Sequence, residues 1–196
     1  VHAAPAGYKR VATGDFNGDG KLDIVWARES DRMLVLWQGN GNGFAQLPIR
    51  DYSPGWEVAG AGDVDGDGRS DLVLIHAVNG WVTSWIMNGA SPIRFSSVHP
   101  RPANAVLAAT GDFNGDRMLD LVWSDSASPM LRMWTGTGTG FSETPVHQRS
   151  PGWEVRSAGD VDGDGKSDLV LENAAAGWVS YWLMDGSAPI HFSGAY

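Results

Sequence analysis

The sequence predicts an all-β protein assembled from repeated units, and three observations carry that reading. Glycines (26 of 196 residues) interrupt short β-branched and aromatic runs throughout the chain, the pattern of strands cut by tight turns. The acidic stretches "DFNGDGKLD", "DVDGDGRSD", "DFNGDRMLD" and "DVDGDGKSD" begin at Asp15, Asp63, Asp112 and Asp160, spaced 48, 49 and 48 residues apart. A period near 50 marks a repeat architecture. A second period of 97 lies over the first, because "SPGWEV" recurs at 53 and 150 and "GWV" at 80 and 177.

Within a unit the elements follow in order. A first strand ("YKRVAT", "WEVAGA") leads into the aspartate loop, and a second leaves it ("LDIVWA", "SDLVLI", "LDLVWS", "SDLVLE"). After a polar turn comes the third ("MLVLWQ", "WVTSWIM", "LRMW", "WVSYWLM"), then a weaker fourth within "FAQLPIR" or "PIRFSSV". Lengths and β-branched content fit antiparallel strands, and no segment carries a helical stripe. Four antiparallel strands repeated radially describe a β-propeller blade. The expectation is a single repeat domain over 1–196, with blades near 1–50, 51–98, 99–147 and 148–196, grouped as two 97-residue doublets. Such blades close as a four-bladed ring, or as half of an eight-bladed ring completed by a two-fold homodimer. The homodimer is slightly favoured, and an open arc with bare sheet edges is the least favoured.

Composition narrows the function. A net charge of −9 argues against nucleic acid and anionic membranes as partners. No apolar run approaches the roughly 20 residues of a membrane span, and with no cysteine, disulfides play no part. Fourteen of the eighteen aspartates lie in the four loops, and acidity gathered in short turns calls for a counter-charge. Oxygen ligands at the first, third, fifth and ninth places converge on the inside of such a turn, with the seventh-place carbonyl available. These positions are Asp15, Asn17, Asp19, Lys21 and Asp23; Asp63, Asp65, Asp67, Arg69 and Asp71; Asp112, Asn114, Asp116, Met118 and Asp120; and Asp160, Asp162, Asp164, Lys166 and Asp168. An all-oxygen, flexible set suits Ca2+ above Mg2+, up to four ions per chain. The twelfth place, where a helix–loop–helix site needs glutamate, holds Trp26, Leu74, Trp123 and Leu171, so the loop belongs to a hairpin. The alternative is a solvated, Asx-rich turn without metal, against which four near-copies count.

"GDFNGDGKLDIVW" and "GDVDGDGRSDLVL" resemble the FG-GAP or VCBS repeats of integrin-α-like propellers. The resemblance implies blades with calcium in the hairpin between a blade's first two strands. It also implies an extracellular setting, whether secreted or at a bacterial cell surface or periplasm, and it takes in propeller lectins that bind sugars.

The tryptophans repeat as well. Trp37, Trp85, Trp134 and Trp182 each follow their loop's first aspartate by 22 residues and read as packing between blades. Trp81 and Trp178 directly follow a turn glycine, where an indole either packs or stays exposed as a platform for a sugar's apolar face. No catalytic grouping is legible. Glu57 and Glu154 are repeat mates, His2 and His99 likewise, and His76, His147 and His191 stand alone as surface or satisfied residues. The sequence therefore predicts a non-catalytic, calcium-stabilised binding module for glycans. A protein-interaction or adhesion module of a larger secreted protein is the alternative, and a hydrolase comes last. Arg117 stands where sibling loops have Gly20, Gly68 and Gly165. The third site is expected to form but to be the weakest, and the even sites, with four carboxylates each, the tightest.

Overall fold

The computed structural model describes residues 3–193. Among these, every regular element is a strand, and four antiparallel four-stranded blades follow one another. The first blade holds β1 (Tyr8–Gly14), β2 (Asp23–Arg28), β3 (Met33–Gly39) and β4 (Phe44–Asp51). The second holds β5 (Trp56–Gly62), β6 (Asp71–His76), β7 (Trp81–Asn88) and β8 (Ser91–Phe95). A two-residue strand that the sequence reading did not foresee, β9 (His99–Pro100), pairs with β7. The third holds β10 (Ala105–Gly111), β11 (Asp120–Asp125), β12 (Ser128–Gly136) and β13 (Phe141–Gln148); the fourth holds β14 (Glu154–Gly159), β15 (Asp168–Asn173), β16 (Trp178–Asp185) and β17 (Ala188–Phe192).

The fold is therefore all-β, of the propeller-blade type that the repeats predicted. Each blade is a meander in which consecutive strands pair. The first strand carries an irregularity at the same place in every blade, beside Val11, Ala59, Ala108 and Arg156. A bulge there raises the local twist without breaking the hairpin that holds the loop.

The chain divides into two compact units, Val1–Arg101 and Pro102–Tyr196, close to the two sequence doublets but with residues 99–101, including β9, in the first unit. In the first unit, Val25, Ala27, Leu34 and Leu36 of one blade pack with Leu72, Leu74, Trp85 and Met87 of the next. In the second, Val122, Leu131 and Met133 pack with Leu169, Leu171, Trp182 and Met184. Full burial of such a side chain contributes about 1.5–3 kcal/mol. Trp85 and Trp182 thus fill the space between blades within their units, as the sequence suggested. Trp37 and Trp134 are also buried, with ring contacts in their own blades to Trp26 and Phe44 and to Trp123 and Phe141.

The odd loop of each unit is docked on the even one. The Ser70 N–H donates to the Asp15 carbonyl at 2.7 Å, and the Asp15 N–H donates to Ser70 Oγ at 3.1 Å. In the second unit the Ser167 N–H donates to the Asp112 carbonyl at 2.6 Å. A Cβ at Gly14 or Gly111 would collide with that serine. Phe16 and Phe113 are fully buried behind the joint. Their carbonyls accept from Gly89 at 2.8 Å and Gly186 at 2.7 Å, in the last turn of the even blade.

Candidate functional site

Each loop joins the first two strands of its blade and is shaped by its own aspartates. The first-place carboxylate closes the turn: Asp15 Oδ1 accepts from Gly18 and Asp19, and Oδ2 accepts from Gly20 at 2.7 Å. Asp63 does the same for Gly66, Asp67 and Gly68, and Asp112 for Gly115, Asp116 and Arg117. Asp160 accepts from Gly163 and Gly165. The fifth-place carboxylates accept from the seventh-place N–H groups of Lys21, Arg69, Met118 and Lys166. In the odd loops the third-place amides of Asn17 and Asn114 accept from Asp19 and Asp116.

The ninth place behaves differently. Asp23, Asp71, Asp120 and Asp168 are all buried, and each carboxylate bridges two chain segments. Asp71 accepts from Val64 at 2.9 Å and from Met87, on β7, at 2.8 Å. Asp23 takes Phe16 and Gly39, Asp120 takes Phe113 and Gly136, and Asp168 takes Val161 and Met184. This residue fastens the loop to the third strand, a role the sequence reading missed when it assigned only ligation. Burial pushes the Asp71 carboxyl up to about 7 and Asp120 up to about 6, with the two N–H donors offsetting part of the rise. Burial raises Asp23 as well.

The even loops gather three carboxylates closely: Asp63, Asp65 and Asp71 in one, Asp160, Asp162 and Asp164 in the other, each set within 4.8 Å. Like charges that close repel, and a hard dication is the chemistry that such an oxygen set fits. Basic side chains already stand nearby. Lys21 pairs with Asp19 at 2.9 Å, Arg69 with Asp67 at 2.6 Å, and Arg94, reaching from β8, with Asp65 at 3.0 Å. Lys166 is 3.7 Å from Asp164 and 2.8 Å from Asp185. Any metal ion at these carboxylates would have to compete with these partners, which the spacing of the aspartates alone did not reveal.

Arg117 adopts φ 70°, in the left-handed region, beside 78°, 84° and 88° at its glycine siblings. Its N–H reaches Asp112 Oδ2 at 2.7 Å, the distance seen for Gly20 and Asp15. The third loop therefore keeps its shape at the cost of a strained residue, about 1 kcal/mol. Arg117→Gly is expected to raise the melting temperature by about 2–4 °C, read by differential scanning calorimetry in chelator. No rise would mean that arginine sits at that φ without strain.

Trp81 and Trp178 are each 48% exposed, whereas the four-fold tryptophans are buried. The turns that present them are tight, with Gly80 and Gly177 both at φ 70°. Among the histidines, His2 lies outside the described residues. His76 and His147 are set against aromatic rings, and His99 is 3.1 Å from Ser97 Oγ.

A model of the FG-GAP-like repeat matches residues 15–74, 63–123 and 112–171, three overlapping windows that span well over half of the chain. The chain belongs to the FG-GAP-like repeat family. Each window runs from one loop into the second strand of the next blade, and the first and third windows take in the loop-to-loop joint of their unit. A comparison with curated protein sequences finds no match. Among solved structures, this FG-GAP-like chain is similar to part of TcdB2-TccC3 without its hypervariable C-terminal region, with a TM-score of 0.54 and 19% identity over 97% of this chain. TcdB2-TccC3 itself gives a TM-score of 0.50 and 22% identity over 89% of this chain. In both cases the match spans 9% of the longer chain. At such identity the likeness is one of fold.

Proposed function

We propose that this FG-GAP-like chain is a non-catalytic binding module, stabilised by calcium, that holds glycans on the exposed indoles of Trp81 and Trp178. The observation that carries the reading is the paired exposure of these rings. The four-fold tryptophans are buried, yet these two stand half in water at matching places in the two units. An indole face stacks on the apolar face of a sugar ring, and neighbouring polar groups take its hydroxyls. Two such platforms per chain raise a weak single-site affinity through multivalency. In this reading calcium is held by the first-, third-, fifth- and ninth-place side chains of the loops, and it neutralises their charge and stiffens the hairpins. Its availability outside the cell suits a secreted or surface-exposed module.

The test is a glycan array in calcium-containing buffer with the parent chain, Trp81→Ala and Trp178→Ala. Binding that falls at least about tenfold in each variant, at unchanged melting temperature, supports the reading. Binding indifferent to both substitutions overturns the indole assignment. A second reading, a protein-interaction module within a larger protein, is favoured by the span of only 9% of the structurally similar chains. An array silent for the folded, calcium-loaded protein would favour it.

A further inference from the structure

We propose that a cleft beside His147, in the second unit, binds a small organic cation, an alkylammonium or guanidinium group. The inference starts from the 97-residue pseudo-symmetry. In the first unit Trp85 and Phe95 form an edge-on pair, with ring centroids 5.5 Å apart and planes at 88°. Arg50 reaches across from β4, and its guanidinium carbon lies 5.7 Å from each ring centroid. Aromatic faces carry partial negative charge, and cations within about 6 Å of a centroid are held by it. This pair of rings already holds a cation of the chain's own.

The second unit repeats the rings without the cation. Trp182 and Phe192 are 5.1 Å apart at 79°. Position 147, which is Arg50 shifted by 97, holds a histidine. Its imidazole is 5.6 Å from the Trp182 ring and 5.2 Å from that of Phe192. The imidazole is smaller than an arginine side chain and lies against the same two rings, about as close as the guanidinium does in the first unit. Beside it a cleft of about 360 Å³ is lined by His147, Gln148, Ser150, Trp153, Trp182 and Phe192, among others. That volume lies at the small end of ligand pockets, roughly 300–1,000 Å³.

Among the described residues the lining carries no Arg, Lys, Asp or Glu, so it offers an ion no full counter-charge. It offers aromatic side chains and neutral rim oxygens. Ser180 and Ser193, also in the lining, are committed to each other at 3.1 Å, and Ser193 Oγ also accepts from the Tyr181 N–H at 2.9 Å. Gln148 and Ser150 stand exposed at the mouth and can meet the N–H groups of a ligand. The chain's charge of −9 enriches cations around it. The site rests on neither the calcium nor the glycan reading.

The test titrates ethylguanidinium into the calcium-loaded chain and follows indole N–H resonances by NMR, with a neutral methyl glucoside as the comparison. One site per chain is expected, moving the signals of Trp182 and Trp153. His147→Arg fills the cleft with an internal guanidinium and should weaken binding at least about tenfold. Arg50→His should open the equivalent cleft in the first unit and raise the stoichiometry from one site to two. Cation binding unchanged in His147→Arg, or no binding at all, overturns the proposal. So does a glucoside that shifts the same resonances more strongly than the cation. If Arg50→His fails to fold, by loss of dispersed resonances, the His147→Arg comparison decides alone.

Discussion

Adding a chelator is expected to lower the melting temperature of this protein by about 5–10 °C for each calcium site it empties, with calcium restoring it fully and magnesium less. A ligand bound only to the folded state at 100 times its Kd stabilises by about 2.7 kcal/mol per site. For a chain of this length each kcal/mol is worth about 2–4 °C. The size of the effect should depend on pH in a definite direction. Burial raises the folded-state carboxyls of Asp71 to about 7 and of Asp120 to about 6, above the ordinary carboxylate value of about 3.9 that the unfolded chain keeps. In chelator these two groups therefore stabilise the fold when protonated, and that contribution is lost as pH rises through about 6–7. Calcium needs them ionised. The gap between calcium and chelator melts should accordingly be wide at pH 8 and narrow by pH 5. A melt indifferent to chelator at pH 8 would remove the metal assignment, and a gap that widens as pH falls would remove the role of Asp71 and Asp120 in it.

The second large effect is expected with no metal at all. Asp71→Ala deletes the acceptor for Val64 and Met87, two N–H groups in a buried joint. Each buried donor left without a partner costs about 1–3 kcal/mol, so a loss of about 3–5 kcal/mol is expected in urea melts run in EDTA. Asp63→Ala is the comparison. The N–H groups of Gly66, Asp67 and Gly68, which Asp63 caps, lie in an exposed turn and can turn to water, for a loss of about 1 kcal/mol. Equal losses in the two variants would show that the ninth-place clamp holds nothing together beyond its own turn.

Much of the architecture was readable from the chain because its determinants are local. The loop aspartates, the turn glycines and the alternation in "LDIVWA" each act within a few residues, and copying them four times fixes the register. Arg117 belongs here too, since a turn that requires positive φ in three copies requires it in the fourth. The misses have the opposite character. The double duty of Asp71 depends on Met87, 16 residues away on another strand. The counter-charge on Asp65 comes from Arg94, 29 residues on. His147 is a lone histidine in the sequence, and its surroundings are Trp182 and Phe192 of the next blade. Side chains that meet across blades are set by packing, and no short-range pattern reports them.

The joint between Gly14 and Ser70 has a consequence for how such a chain can change length. The eighth loop place is serine in the even units (Ser70, Ser167) and leucine in the odd ones (Leu22, Leu119). A loop opening with Gly14 and Asp15 is shaped to receive a serine whose Oγ takes its N–H, and a leucine in that seat would bring bulk and no acceptor. Duplicating a single odd blade would set an odd loop against an odd loop and break the joint. Duplicating a pair would preserve every one. Growth and loss along this lineage should therefore proceed by twos, and a chimera cut beside Arg101 and Pro102 keeps both halves matched, where a cut between β4 and β5 orphans a loop on each side.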